Sequence, residues 1–329
     1  MSITASNTEA PVWEARARTA DELGEPAPFF SVILPAYNRL EMLLEALRSV
    51  RGQRFRGFEV IVADDGSTDG TVEHLLEKEK DVKVVRLPHG GPGAARNAGI
   101  AIARGTYIAF LDSDDAWFPW TLQVYDEVIR RHERPAFLTG TALSWSKASS
   151  DEEGGAVTTV SFPSLLDACQ GEMPPVGGTP SICLRADVVR RAGGFAARDM
   201  NAEDVDLWFR LGTAAGFVQI VSPPVFRQRK HAGNVSLALQ PALIGARHLI
   251  QTEKAGGYPG GRRFQRRRRR VIAANTRSVI FDALRHGLFR PACGLLWSTL
   301  RWQLESGHFC FVAAFPFLVL RAAWAVRPV

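Results

Sequence analysis

Two acidic clusters each follow a run of apolar residues. Phe58-Glu-Val-Ile-Val-Ala leads into Asp64-Asp65-Gly66-Ser67-Thr68-Asp69, and Tyr107-Ile-Ala-Phe-Leu leads into Asp112-Ser113-Asp114-Asp115. Apolar runs of this length, bounded by turn residues, predict buried strands. Open α/β sheets keep their ligands at the C-terminal edge, where these carboxylates would emerge. Carboxylates packed this closely repel one another unless a cation or hydrogen-bond donors offset the charge. Asp112 and Asp114 are hard oxygen ligands of the kind that suit Mg2+ or Mn2+, which in turn bridge phosphate oxygens. Asp115 thickens the cluster and is expected to cap the following helix. Asp65 is suited to accept a hydrogen bond from the N–H edge of a nucleobase. The competing use of Asp64 and Asp65 is an Asx-type turn with Gly66-Ser67.

A third acidic group, Glu203-Asp204-Val-Asp206, opens a helical stretch. Acids in a first turn suit the helix dipole, and one of them is equally suited to act as a general base. Gly90-Gly-Pro-Gly93 with Arg96 and Asn97 follows a third apolar run. Glycines allow close approach of a ligand, and a helix start favours anions. No lysine follows and the spacing is not GxGxxG, which excludes the phosphate-loop and dinucleotide fingerprints. His231 sits in a basic stretch over 227–231, as a metal or diphosphate ligand or as a surface histidine. The four cysteines show no CxxC and no ligand spacing, which fits buried thiols in a reducing compartment.

The elements that would position these groups alternate. Strands are expected over 30–35, 58–63, 82–87 and 107–111. Helices are expected over 40–51, after a cap at Thr68 or Asp69, and over 94–104. This is a βαβ pattern with a mostly parallel, Rossmann-like sheet, and right-handed crossovers put all its loops on one edge. Beyond it, the spacing predicts a helix over 119–131, a strand within 136–146, and a turn or insert over 149–155. A helical stretch over 162–169, a Gly/Pro-rich loop over 171–180 and a strand over 181–184 follow. Helices over 187–192 and 203–212 and a strand over 217–221 precede the basic loop.

Composition is that of a globular protein, with 46% hydrophobic and 22% charged residues among 329. Charge is unevenly distributed. Residues 1–240 carry 25 basic and 31 acidic side chains, whereas residues 241–329 carry 15 and 3. We therefore divide the chain into a polar arm (1–27, with a short helix around 12–23), a domain over 28–240, and a basic helical extension over 241–329. Within 28–240, two halves are expected, 28–118 and 119–240. The arm has no apolar core after a basic start, so a cleaved secretion signal is not expected. In the extension, seven arginines fall within 262–270, and 309–320 is free of charge until Arg321. Twelve residues are too few to span a bilayer. Arginines beside apolar helices suit an anionic membrane surface, and the competing reading is an arginine face packed over the catalytic domain. No reader motif or aromatic platform accompanies the arginines, so nucleic acid is not an expected partner.

Taken together the motifs resemble the family 2 glycosyltransferases, inverting enzymes of the GT-A fold. The resemblance is carried by Ser31-Val-Ile-Leu-Pro-Ala-Tyr-Asn-Arg39, Val62-Ala-Asp-Asp-Gly-Ser-Thr-Asp69, Gly91-Pro-Gly-Ala-Ala-Arg-Asn-Ala-Gly99 and Phe110-Leu-Asp-Ser-Asp-Asp115. Pro180-Ser-Ile-Cys-Leu-Arg185, Gly193-Gly-Phe195 and Glu203-Asp-Val-Asp-Leu-Trp-Phe-Arg210 extend it, in order, over residues 29 to 236. It implies that Pro35, Ala36 and Tyr37 hold a nucleobase, that Asp65 contacts the base, and that Arg96 lies near the nucleotide. It implies that Asp112 and Asp114 bind ribose and a Mn2+ or Mg2+ ion, with His231 helping to hold the metal or diphosphate. Asp204 would be the catalytic base, and Glu203 would orient the acceptor or back up the base. The segment 177–181 would lie on the acceptor side. The Gln-x-x-Arg-Trp motif of processive members is missing, since Arg301-Trp302 follows Ser298-Thr-Leu. The expectation is a transferase of single sugars from a UDP-, GDP- or dTDP-sugar to a glycan or lipid-linked hydroxyl, in cell-surface polysaccharide or glycoconjugate synthesis. It would work in the cytoplasm, at the inner face of the plasma membrane through 262–329. A non-catalytic nucleotide-sugar-binding scaffold is the alternative, and the oligomeric state is left open.

Overall fold

The structure, a computed structural model, describes residues 27–147, 154–169, 178–230 and 238–325. The expected arm helix, most of the 149–155 turn and of the 171–180 loop, and His231 lie outside the described residues.

Strand β1 (Phe30–Ala36) is buried along its whole length. It pairs in parallel with β2 (Phe58–Asp64) and β4 (Tyr107–Phe110), and β2 pairs in parallel with β3 (Val82–Arg86). Their alternate residues go to opposite faces, as the period of a strand requires. Val32, Leu34 and Val62 join one cluster with Leu43 and Leu47 of helix α1 (Leu40–Arg51). Ile33, Ile61 and Phe110 join a second cluster with Phe195 and Leu207. Helices α2 (Thr71–Lys78) and α3 (Pro92–Ile102) complete the crossovers. Neither Thr68 nor Asp69 is the N-cap of α2. Left-handed Gly70 (φ 84°) takes that position, and Asp69 accepts instead from the Thr71 backbone N–H and hydroxyl.

The sheet continues through β9 (Ile182–Arg185), β6 (Phe137–Thr139), β10 (Phe217–Ser222) and β8 (Thr158–Phe162), giving the order β3-β2-β1-β4-β9-β6-β10-β8. Strand β9 is antiparallel to both its neighbours, and β8 is antiparallel to β10. Elsewhere the sheet is parallel, so the expected mostly parallel α/β architecture is present. A small second sheet joins β5 (Ala116–Trp117), β11 (Phe226–Gln228) and β7 (Ala142–Ser144).

Several expected boundaries are corrected. The stretch 136–146 is two strands in different sheets. The chain crosses at Gly140, where a Cβ would lie 2.5 Å from the Val225 side chain. The stretch 162–169 is the end of β8 followed by the single-turn helix α5 (Leu165–Ala168). Strand β8 is mostly exposed and shows no apolar alternation to read. The basic loop begins as strand β11. Helix α4 spans Thr121–Arg131, and helices α6 (Ala186–Arg191) and α7 (Glu203–Arg210) follow β9.

Four helices follow: α8 (Leu239–Lys254), α9 (Gly261–Arg285), α10 (Phe289–Glu305) and α11 (Phe309–Ala325). Their core of Leu249, Ile272, Ile280 and Leu295 also takes in Leu166 of α5 and Phe209 of α7, which seats the helices on the α/β layer. Part of the arginine run is used inside this packing. Arg268 is buried with Glu253, donating from Nε at 2.7 Å and from Nη1 to the Pro259 carbonyl at 2.8 Å. Arg267 donates to the Leu166 carbonyl at 2.6 Å. Among the described residues no helix is long and apolar enough to cross a membrane.

Candidate active site

The C-terminal ends of β1, β2 and β4 open into one cleft of about 990 Å3. Pro35, Ala36, Tyr37, Asp65, Arg96, Asp112, Asp114, Glu203 and Asp204 all line it. The sheet therefore gathers residues separated by up to 169 positions in sequence.

At one end, Asp64 and Asp65 diverge. Asp64 points into the turn and accepts from the Ser67 N–H at 3.0 Å, while burial pushes its carboxyl up. Asp65 faces the cleft and accepts from the N–H groups of Gly90 (2.8 Å) and Gly91 (3.0 Å). Gly91 has φ 87°, which favours glycine. These two amides are thus engaged by the Asp65 carboxylate. His89 Nδ1 lies 2.8 Å from Asp65 Oδ2, and its ring stacks on Tyr37 at 4.2 Å and 20°. Sequence reasoning missed His89, because nothing local marks it. Asp65 Oδ1, which meets only the Gly90 N–H among these groups, retains acceptor capacity.

In the middle, Arg96 is buried and bridges two acids. It donates to Asp112 Oδ1 at 2.8 Å and to Glu203 Oε1 at 2.7 Å. Burial works against its charge, but Asp112 and Glu203 outweigh it and hold the guanidinium protonated. Gly93, one helical turn earlier, is packed so closely that a Cβ would meet the Ala196 carbonyl at 2.5 Å. Asp112, Asp114 and Asp115 each offer an oxygen within 4.8 Å of the others. Arg39 pairs with Asp114 at 2.6 Å. Asp115 does not cap α4; it accepts the Arg229 N–H at 2.9 Å, fixing β11 to the β4 loop. Burial, then the charge of Asp112 and that of Asp114, pushes its carboxyl up to about 8. Three crowded hard oxygen donors fit a divalent cation of the Mg2+ or Mn2+ type.

At the far end, α7 starts after Ala202, a non-glycine residue in the left-handed region (φ 67°). Strain of this kind persists where surrounding structure over-determines it. Glu203 is buried against Arg96, whereas Asp204 is partly exposed to the cleft. Desolvation, with the charge of Glu203 next, pushes the Asp204 carboxyl up to about 7. Asp206, two residues on, turns away from the cleft. It is buried and meets Arg210 (2.7 Å), His248 of α8 (3.0 Å) and the Tyr258 hydroxyl (2.8 Å). The opposite wall includes Asn275, Ser278 and Asp282 of α9. No sequence signal pointed to that wall.

A family model, Glycosyl transferase family 2, matches residues 31–140. The Escherichia coli protein named UDP-Glc:alpha-D-GlcNAc-diphosphoundecaprenol beta-1,3-glucosyltransferase WfaP is 39% identical over 230 residues, covering 68% of this chain and 85% of that protein. The chain belongs to glycosyl transferase family 2. The uncharacterized glycosyltransferase RC0461 of Rickettsia conorii is 33% identical over 193 residues, 56% of this chain and only 30% of that longer protein. Among solved structures, S. aureus TarS in complex with UDP-GlcNAc superposes with a TM-score of 0.55 at 20% identity, over 84% of this chain and 92% of that one. The mannosyltransferase PcManGT of Pyrobaculum calidifontis, in complex with GDP-Man and Mn2+, gives 0.53 at 18% identity, over 93% and 92%. These likenesses establish the GT-A fold, with its helical C-terminal region.

Proposed function

We propose that this family 2 protein is an inverting, cation-dependent glycosyltransferase. It would move one sugar from a nucleoside-diphosphate sugar to a hydroxyl of a lipid-linked or glycan acceptor in cell-surface polysaccharide or glycoconjugate assembly. The observation that carries this reading is that Asp204, a carboxylate pushed up to about 7, faces the same cleft as Asp65 and the Asp112–Asp114 pair. A hydroxyl is a weak nucleophile near neutral pH, so its proton must leave as it attacks the sugar C1. A carboxylate with this affinity for a proton is suited to take it. Attack from the face opposite the leaving group inverts the anomeric centre, and no covalent nucleophile is required.

The remaining residues bind and orient. Pro35, Ala36 and Tyr37, with Asp65, would hold the nucleobase, and His89 extends the aromatic surface under it. Asp112 and Asp114 would hold the Mg2+ or Mn2+ ion, with His231 as a further ligand. When bound, the cation would offset the charge developing on the leaving diphosphate. Arg96 keeps Asp112 and Glu203 in fixed orientation, leaving Asp204 as the acid that meets the acceptor. The name of the WfaP relative supports a diphosphate-lipid acceptor and a UDP-sugar donor. Such an acceptor is membrane-borne, and we place the protein peripherally at the inner face of the plasma membrane.

The test is sugar transfer from a panel of UDP-, GDP- and dTDP-sugars with Mn2+, the product anomer being read by NMR. Asp204→Asn should reduce turnover by about 100- to 10,000-fold, the range of general-base contributions, with the donor Kd little changed. Asp114→Ala should abolish the effect of Mn2+ on donor binding by calorimetry. Normal turnover by Asp204→Asn, or retention of anomeric configuration, would overturn the reading.

A further inference from the structure

We infer that the outward face of α11, with one stripe of α10, is the surface by which this protein docks on an anionic lipid bilayer, α11 lying in the plane of the interface. The surface lies within the 262–329 stretch that the sequence suggested, but outside its arginine run.

Phe311, Val312, Phe315, Leu318, Val319 and Ala322 form the inward stripe of α11 and pack on the core of the helical extension. An ordinary surface helix would carry polar residues on the opposite stripe. Here that stripe is Phe309, Ala313, Pro316, Phe317, Leu320 and Trp324, with Arg321 its one charge. Phe317, Leu320 and Trp324 are 73%, 68% and 78% exposed. On α10, Trp297, Arg301 and Leu304 share one face by their spacing and are exposed, Trp297 at 75%. A helix that is apolar all round but packed on one side only needs a cover for the other. At 17 residues α11 is about 25 Å long, shorter than the ~30 Å hydrocarbon core of a bilayer. Over its described residues it can lie in an interface and is not long and apolar enough to cross a bilayer.

Charge and position favour lipid as the cover. Residues 281–325 carry four arginines and two acids. The two acids, Asp282 and Glu305, are each paired to an arginine, Arg285 and Arg301. Tryptophan and arginine at the edge of an apolar face suit the level of anionic headgroups. The inward stripe connects α11 to the cleft wall: the rings of Phe281 and Phe311 lie 5.4 Å apart at a tilt of 56°, and the residue after Phe281, Asp282, lines the cleft. Docking through α11 would therefore bring the cleft mouth to the bilayer surface. This relation to the cleft rests on the proposed membrane-borne acceptor; the surface itself does not.

The arginine run lies elsewhere. Arg266, its nearest exposed member, is fifteen residues before Phe281 on α9, about 22 Å along the axis at ~1.5 Å per residue. That exceeds the ~8 Å screening length at physiological salt. Arg267 and Arg268 are engaged within the protein.

Flotation of the full chain with extruded phosphatidylglycerol/phosphatidylethanolamine vesicles, and with phosphatidylcholine vesicles, tests this at physiological salt. Wild type should float with the anionic vesicles and several-fold less with the neutral ones. The triple variant Phe317→Ser, Leu320→Ser, Trp324→Ser should lose at least tenfold in partitioning with an unchanged melting temperature, because these side chains are exposed. Arg301→Gln with Arg321→Gln should reduce binding to the anionic vesicles alone. Arg262→Ser, Arg263→Ser, Arg266→Ser should bind as wild type. Equal flotation of the wild type and the α11 triple variant would overturn the inference, as would absence of flotation. So would a wild-type dimer by light scattering that the triple variant dissociates without any vesicle binding, since a second copy would then be the cover. Transfer to a soluble acceptor by the triple variant is scored separately, so failure of docking and failure of the enzymatic reading are distinguishable.

Discussion

Arg96 is the residue whose replacement tests the most of the site at once. Its guanidinium meets Asp112 at 2.8 Å and Glu203 at 2.7 Å and is buried. At an effective dielectric of about 20, each contact is worth about 6 kcal/mol of gross attraction. Desolvation of three charged groups offsets much of this, so the net worth of the bridge is small compared with the cost of breaking it. Arg96→Met removes the cation and leaves Glu203, itself buried, without a partner. Asp112 is more exposed and can recover water. The expected loss is about 3–5 kcal/mol, the range for uncoupling a buried ion pair, a large share of the ~5–15 kcal/mol stability of a domain. Arg96→Lys should lie between, because one ammonium cannot reproduce the fork that spans both carboxylates.

The assay is urea unfolding at neutral pH, run as a cycle. If the cost is Glu203 left charged and unpaired, then Glu203→Gln in the Arg96→Met background should recover at least half of the loss. The reasoning is refuted if Arg96→Met costs less than about 1 kcal/mol, the scale of an exposed pair, or if the second change recovers nothing. Turnover is not used to score this cycle, since Arg96 and Glu203 both act on the charge of Asp204.

Two further predictions concern the base. Burial and Glu203 push Asp204 up to about 7, so at lower pH it is protonated and cannot accept a proton. The transfer rate should fall about tenfold per pH unit on the acid side; a kcat/KM profile flat from about pH 5 to 8 would remove Asp204 from that role. His248→Ala and Tyr258→Phe each strip a partner from buried Asp206 on the same helix, at a cost of about 1–3 kcal/mol each. If these contacts position α7, kcat should fall while the donor KM stays, and an unchanged kcat in a variant shown to be destabilised would confine them to a structural role.

How much of this was legible depends on how local each signal is. Strands β1, β2 and β4 are buried on both faces, so they stand out as continuous apolar runs, and α1 shows its inward stripe in Leu43, Leu47 and Val50. The nine described site residues predicted from motifs fall in one cleft because the loops at one sheet edge are short and ordered by the crossovers. The failures share a different cause. Strands β5 and β11 are two and three residues long and exist only through pairing with partners distant in sequence, β5 with β11 and β11 also with β7. Strand β8 is an exposed edge strand. Arg268 is buried because Glu253 lies fifteen residues earlier across a turn, and a run of seven arginines gives no sign that one of them points inward. The wall formed by α9 comes from residues more than seventy positions beyond Asp204. Long-range contact leaves no mark on local spacing.

The helical extension has a closer relation to the chemistry than its composition implies. Helix α7 carries Asp204 toward the cleft and Asp206 toward α8 and Tyr258, and two residues on a helix are about 200° apart. Such a short, acid-rich helix is poorly held by propensity alone, and like charges in its first turn repel. Arg96 offsets Glu203 from one side, and Arg210, His248 and Tyr258 offset Asp206 from the other. Asp204 is the acid of the three with no cation paired to it among the described residues. With no such partner to offset them, desolvation first and the charge of Glu203 second keep its proton affinity high. Removing the extension would take away His248, Tyr258 and the α9 wall together. A truncated chain should therefore lose transfer even to a soluble acceptor, a loss that the α11 surface variants should not show.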